Sequence, residues 1–386
     1  MTMARTPVAA VCALSLAAVL ASPAPAGAAT GMEVALQDDA VLVSDAYYGR
    51  EKALDRAREL RVSTIRVNVL WSSVVGSSAT RRSRPSPVRY DFGSYDQLVN
   101  AALARGLRVQ MALTGSAPAW ATGNRRRGVY KPKYRYFEDF AEATAQHFRG
   151  LVTRYSIWNE PNHVGWLAPI KSQPGLYAQL YKAGYRAIKR VDPSAEVLIG
   201  ETAPFATSSR VATPPLAFLR GVLRVNRSWK GSRKYALEAD GFAHHPYDFR
   251  HSPTYRYPGS DNVTLATLSR LTQALDRLAR YQMLRTPKGR RLDVWLTEYG
   301  YMGSGRYRVS DARRGSYLKY AFDRARRNSR VRQMLQFLLV QPGSEYRFFD
   351  TSLLPRRGGE TRAFRSLRSW AASAASKGKI ARPPGT

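Results

Sequence analysis

Short apolar runs alternate with longer segments in which apolar residues recur every three or four positions, and the alternation continues almost from end to end. The runs STIRVNVLW (63–71), GLRVQMALTG (106–115), LVTRYSIWNE (151–160), EVLIGETA (196–203), DGFAHHPY (240–247), DVWLTEYG (293–300) and RQMLQFLLVQ (332–341) read as strands. The weaker EVALQDDAVLV (33–43) makes eight. Between them lie REKALDRARELR, SYDQLVNAALARG, RYFEDFAEATAQHF, LYAQLYKAGYRAIKRV and TLATLSRLTQALDRLARYQ, each with the period of an amphipathic helix. DARRGSYLKYAFDRARR and TRAFRSLRSWAAS continue the pattern. Eight strand-then-helix units predict a parallel barrel with its helices outside, the (β/α)8 fold; a doubly wound open sheet has the same periodicity and remains the alternative.

The first residues do not share this pattern. Arg5 precedes the apolar run VAAVCALSLAAVLA (8–21) and the small-residue stretch SPAPAGAAT, the arrangement of a secretory leader. The run is shorter than the ~20 residues that span a bilayer, so residues 1–29 are expected to be cleaved, leaving no stable membrane anchor and an extracellular mature chain. Residues 30–386 are expected to form a single catalytic domain, with no internal repeat. The one cysteine, Cys12, falls in the leader, which rules out a disulfide framework and a cysteine zinc site in the mature chain.

Charge adds a further feature. There are 61 Lys and Arg against 28 Asp and Glu among 386 residues, a net charge of +33. The arginines are scattered through ATRRSRPSPVR, GNRRRG, KGRR and DARRG, which argues against a single stripe for nucleic acid. Both an adhesive surface for anionic polymers and an ordinary solvated surface are compatible with this, so charge names no substrate. The long polar loops SSATRRSRPSPVRYDFG, TGNRRRGVYKPK and DFRHSPTYRYPGSD each follow a strand, on the side where barrel enzymes build their active face.

The candidate chemistry lies at two strand ends. In YSIWNEPN, Pro161 disfavours helical backbone for Glu160, which therefore sits where the fourth strand stops. Glu298 occupies the same end of the seventh. Two carboxylates facing each other across a barrel mouth suit glycoside hydrolysis: one protonates the departing oxygen, and the other attacks the anomeric carbon or activates water. No cofactor is expected, since the sequence carries no glycine-rich phosphate loop, no G-x-S-x-G elbow and no zinc-protease motif. A metal pair at His244 and His245 is disfavoured because neighbouring strand residues point to opposite faces.

Taken together, WNEPN and WLTEYG, with IRVNVLW, GLRVQMALTGSAPAWA, HHPY and the closing FDTSLLPRRGGETRAFRSLRSW, resemble the clan A glycoside hydrolases, retaining (β/α)8 enzymes, with families 39 and 5 (cellulase-like) the nearest. The resemblance implies that Glu160 is the acid/base and Glu298 the nucleophile. It implies further that Asn159 hydrogen-bonds the sugar 2-hydroxyl, that Arg66 orients or ionises the nucleophile, and that His245 and Tyr247 line the sugar site. Trp71, Trp120, Trp166 and Tyr299, all at or just after strand ends, are candidate platforms for a sugar ring, with ordinary packing as the other reading. The tryptophan with which many clan members end strand eight is missing; Gln341 or Tyr346 stands near that point. The substrate expected is a polysaccharide or oligosaccharide, acidic if the arginine-rich loops face the cleft. A noncatalytic carbohydrate-binding protein or adhesin on the same barrel, and a transglycosylase, are the alternatives. The sequence is silent on oligomeric state.

Overall fold

The computed structural model describes residues 31–343 and 349–383. The expected leader and Tyr346 lie outside them. Eight parallel strands close into a barrel: β1 (Glu33–Gln37), β2 (Thr64–Leu70), β3 (Arg108–Thr114), β4 (Arg154–Ile157), β5 (Glu196–Thr202), β6 (Gly241–His244), β7 (Val294–Leu296) and β8 (Val331–Phe337). The ring closes where β1 runs parallel to β8, from Glu33 opposite Gln333 to Gln37 opposite Phe337. An open sheet is therefore excluded.

Eight helices follow the strands in turn: α1 (Arg50–Glu59), α2 (Gly93–Leu103), α3 (Tyr134–His147), α4 (Gln173–Val191), α5 (Pro215–Leu223), α6 (Ser269–Arg280), α7 (Asp311–Arg326) and α8 (Arg362–Ser376). None of the helices in the described residues is long and apolar enough to cross a membrane. A pair of two-residue strands, Leu237–Glu238 and Leu284–Arg285, forms a small separate sheet.

The period-2 alternation of the strands divides the buried residues into two sets. Ile65, Val67 and Val69 of β2 join the main core, together with helix residues such as Leu98, Phe137, Leu180 and Leu275. Their alternates, Thr64, Arg66 and Asn68, are also buried, but their polar side chains meet other polar side chains in the barrel interior. The only apolar cluster outside the main core among the described residues is Leu198, Ala243 and Trp295. Gly241 makes room for it, since a Cβ there would sit 2.1 Å from the Trp295 ring. Below it, Arg154 lies 5.3 Å from the Trp295 ring centroid and pairs with Glu33 at 2.7 Å and Glu196 at 2.7 Å. The lumen thus holds ion-paired groups above and below the small apolar layer of Leu198, Ala243 and Trp295, and the main apolar core surrounds it.

The first strand is shorter than the pattern predicts. It stops at Gln37, and the chain makes a helical turn, Asp39–Leu42, instead of continuing to residue 43. Asp38 causes the change: it accepts the backbone N–H of Val41 at 3.4 Å, the capping interaction that starts a helix. The same carboxylate accepts from the N–H groups of Leu339 at 3.1 Å and Val340 at 3.0 Å, tying the ends of β1 and β8 together.

Candidate active site

Glu160 is presented by a tight turn. Trp158 N–H donates to the Leu113 carbonyl at 2.8 Å and Asn159 N–H to Thr114 Oγ1 at 3.0 Å, which fixes the chain leaving β4 against the end of β3. Trp158 and Glu160 then take left-handed backbone conformations, with φ of 66° and 37°. That region is costly for a residue with a side chain, so such a turn persists only where its surroundings hold it. Here the Glu160 N–H donates to the Glu201 carbonyl at 2.9 Å, and the Glu160 carbonyl accepts from His163 N–H at 2.8 Å. The result aims the Glu160 side chain across the mouth of the barrel.

Opposite it, Glu298 stands two residues past the end of β7, after Thr297, and is almost wholly buried. One carboxylate oxygen from each of Glu160 and Glu298 and one ring nitrogen of His245 lie within 4.8 Å of one another. Arg66 Nη1 donates to Glu298 Oε1 at 3.1 Å, and Tyr247 OH donates to Glu298 Oε2 at 3.3 Å. Arg66 Nη2 donates to Asn159 Oδ1 at 2.9 Å, and Arg66 also hydrogen-bonds Gln37. Asn159 is thereby oriented with its carbonyl spent and its amide NH2 free to turn to a ligand. These are six of the residues singled out in the sequence, and the barrel brings all of them together.

The group that organises them was not singled out. Glu201, on β5, is completely buried and accepts from Ser156 Oγ at 2.5 Å, Thr297 Oγ1 at 2.5 Å and His245 Nε2 at 2.8 Å. Arg66 Nη2 lies 3.1 Å from its Oε2. Burial alone would raise the Glu201 carboxyl, but Arg66, His245 and Ser156 more than offset this and hold it down at about 2. In the sequence it is a glutamate among the apolar residues of LIGETA, on the face that plain alternation shares with Val197 and Ile199; the bulge between Gly200 and Thr202, with Glu201 at a φ of 48°, turns it into the lumen instead.

His245 bridges the carboxylates. Its Nδ1 lies 3.0 Å from Glu160 Oε1 and 3.6 Å from Glu298 Oε2, while Nε2 faces Glu201. Burial would depress the imidazole, but Glu298, Glu160 and Glu201 push it up to about 10, so at neutral pH both nitrogens carry protons and donate. Burial raises Glu298 from the ordinary carboxylate range; His245 and Arg66 pull against that rise, and the charges of Glu160 and Glu201 add to it. Glu160, His245 and Glu298 are close enough to surround a cation, but a protonated His245 offers no lone pair to one. His244 turns away: Nδ1 meets Thr202 Oγ1 at 2.8 Å, Nε2 meets the Val263 carbonyl at 2.9 Å, and burial lowers it to about 3, so it is a neutral structural group.

The tryptophans separate. Trp166 is half-buried and lines the cavity of about 900 Å³ above the carboxylates. Trp71 and Trp120 do not line it and are corrected here to core residues. The chain turns helical at Trp71–Val74, and the Trp71 indole is completely buried, stacked on Phe140 of α3 at 5.7 Å and edge-on to Trp120 at 5.7 Å. Tyr299 is likewise buried behind Tyr247, with ring centroids 6.1 Å apart and its OH donating to Tyr301 at 2.9 Å; it offers no face to a ligand. At the end of β8, where a tryptophan is missing, Phe337 and Leu338 reach the cavity, joined by Phe349.

Residues 26–330 match the family model described as cellulase, glycosyl hydrolase family 5. The chain belongs to this family. The match stops one residue short of β8, yet the barrel is complete. No curated protein matches the chain. Among solved structures, a family 39 glycoside hydrolase from Bacteroides cellulosilyticus is similar over 89% of this chain and 64% of its own, with a TM-score of 0.66 at 17% identity. A monomeric beta-xylosidase from Caulobacter crescentus is similar over 87% and 66%, with a TM-score of 0.58 at 19% identity. An exo-beta-1,4-mannosidase from an Opitutaceae bacterium is similar over 91% and 61%, with a TM-score of 0.58 at 16% identity. These likenesses agree with the clan A barrel, and this chain spans less than two-thirds of the length of each of those proteins.

Proposed function

We propose that this protein is a secreted glycoside hydrolase that cleaves O-glycosidic bonds by retaining double displacement. The observation that carries the reading is the proximity of Glu160 and Glu298, with carboxylate oxygens within 4.8 Å across the barrel mouth. Retaining enzymes hold their carboxyl groups ~5–5.5 Å apart, whereas an inverting pair needs ~6.5–9.5 Å to admit water. Secretion is supported by the leader pattern of residues 1–29.

In the first step Glu160 donates its proton to the glycosidic oxygen as the bond to the anomeric carbon breaks, and Glu298 forms the covalent glycosyl-enzyme. Arg66 and Tyr247, each on one Glu298 oxygen, aim the nucleophile. Asn159 binds the sugar 2-hydroxyl with its amide, an interaction that strengthens as positive charge develops on the ring. In the second step Glu160, now a carboxylate, takes a proton from water, whose oxygen displaces Glu298.

The test is a pair of single variants assayed with 2,4-dinitrophenyl glycosides and with unactivated oligosaccharides. Glu298→Gln is expected to abolish the glycosyl-enzyme seen by intact-protein mass spectrometry. Glu160→Gln is expected to retain the burst of dinitrophenolate, because that leaving group needs no proton, and to lose unactivated substrates by at least ~10²-fold. Normal turnover by both variants would refute the assignment.

A further inference from the structure

We propose that the substrate is a glycoside of an uncharged sugar carrying an apolar aglycone, rather than an acidic polysaccharide; the inference rests on the glycosidase reading of the same cavity. In a chain of net charge +33, no lysine or arginine is among the described residues that line the cavity. Five carboxylates do: Asp38, Asp39, Asp91, Glu160 and Glu298. The arginines of the long loops are spent elsewhere or face solvent. Arg84 pairs with Asp139 at 2.5 Å, and Arg356, at the rim, lies 4.2 Å from the Tyr47 ring centroid and donates to the Gln341 carbonyl at 3.0 Å. Arg66 and His245, the cations beneath the floor, are fully buried and bonded to Gln37, Asn159 and the glutamates. Among the described residues that line the cavity, a uronate would find no cation to receive it.

The walls point to what enters in its place. Of the proposed machinery, Asn159, Glu160 and Glu298 line the cavity. The cavity is bounded on one side by Phe205, Phe249, Phe337 and Phe349, and elsewhere by Val43, Leu70, Val74 and Val211 interspersed with polar residues such as Ser44, Ser73, Ser94 and Thr207. The four phenylalanines make an almost continuous surface: Phe249 lies edge-on to Phe205 at 5.9 Å and to Phe349 at 5.5 Å, and Phe349 meets Phe337 at 5.6 Å. All four are only partly buried, so water covers apolar surface there until a ligand replaces it. A further sugar in this position would leave hydroxyls facing hydrocarbon, whereas an alkyl or aryl group would bury both surfaces at once.

The experiment compares octyl with methyl glycosides of glucose, xylose and mannose in both anomeric forms, together with the octyl and methyl glucuronides and the matching disaccharides. Octanol and methanol are leaving groups of closely similar acidity, so the octyl-to-methyl ratio of kcat/KM reports the walls and not the chemistry. For the hydrolysed sugar this ratio is expected to reach ~10²-fold, and the glucuronide is expected to be at least ~10-fold poorer than the uncharged sugar. In Phe205→Ser, Val211→Asn the ratio should fall at least ~10-fold; an equal loss on both glycosides would overturn the proposal. Hydrolysis with a ratio near one, or a preference for glucuronides or disaccharides, would overturn the proposal and leave the glycosidase reading standing. If nothing is hydrolysed, titration calorimetry of the Glu298→Gln protein decides: tighter binding of octyl than methyl glycosides supports the apolar site while removing the activity, and no binding of either removes both.

Discussion

Replacing Glu201 by glutamine keeps the shape of the side chain and removes one negative charge from the middle of the site. Glu201 hydrogen-bonds neither proposed catalytic oxygen; it acts through Arg66 and His245, and through its charge, which adds to the rise of Glu298. Its carboxyl is held at about 2 against an ordinary 4.5, and at ~1.4 kcal/mol per unit this corresponds to roughly 3 kcal/mol of stability at neutral pH. The sign follows from the depression: the contribution is present above pH 4.5 and is lost as pH falls toward 2. Glutamine also presents an NH2 where the wild type has only acceptors, so one of the donors from Ser156, Thr297, His245 or Arg66 must lose its partner. Removing one member of a buried ion pair costs about 3–5 kcal/mol, which for a domain of this size lowers Tm by about 5–10 °C. The more specific readout is the pH profile. The charge of Glu201 adds to the rise of Glu298, so the acidic limb of kcat/KM, which follows ionisation of that nucleophile, should move to lower pH in Glu201→Gln. A general loosening of the fold would lower kcat without moving that limb. Wild-type Tm together with a wild-type pH profile would refute the role assigned to Glu201.

Three further outcomes are expected. Trp71→Ala, measured by chemical denaturation, should cost ~3–5 kcal/mol of stability while leaving the KM of the remaining folded enzyme near its original value, because the indole packs on α3 and not on a ligand. Asp38 is raised to about 7 from 3.8, chiefly by burial, so its folded form holds a proton that the unfolded form releases, and stability should fall as pH rises from about 4 to about 7. Asp38→Asn should flatten that part of the Tm profile while lowering Tm throughout, because its NH2 displaces an acceptor of the N–H groups of Val41 or of Leu339 and Val340. Tyr247→Phe keeps the ring stacked 4.9 Å from Phe249 but loses the hydrogen bond to Glu298, and kcat/KM should drop about tenfold with Tm little changed.

Much of the barrel is legible in the chain because its strands alternate. TIRVNVL places Ile65, Val67 and Val69 on one face and Arg66 and Asn68 on the other, and both the core and the site follow from that single pattern. The two glutamates are legible as well, since each stands at the end of a strand-like run, Glu160 directly before Pro161. Strand ends are less so. The pattern extends the fourth strand to residue 160, whereas β4 stops at Ile157, because the left-handed turn at Trp158 and Glu160 depends on hydrogen bonds from other strands. The sequence leaves Trp71 open between platform and packing for a similar reason: a residue just past a strand points to the site or to the core according to the first turn that follows, here the helical turn Trp71–Val74. Glu201 gives only a weak signal, a charge inside an apolar strand, and its meaning appears when Arg66, His245 and Thr297 converge on it from three other parts of the chain.

The pairing of β1 with β8 has a consequence for how the protein is made. Glu33 lies opposite Gln333, while on its other side the same strand meets β2 within about thirty residues, at Ala35 opposite Thr64. Seven strands can therefore assemble in the order of synthesis, but the ring stays open until Val331–Phe337 arrives. Until then β1 and β7 each present an unpaired edge able to recruit a strand from another molecule. The final eighth of the barrel thus acts as a latch: its absence would cost more than one strand, because it leaves two sticky edges and an entrance to a lumen full of paired charges.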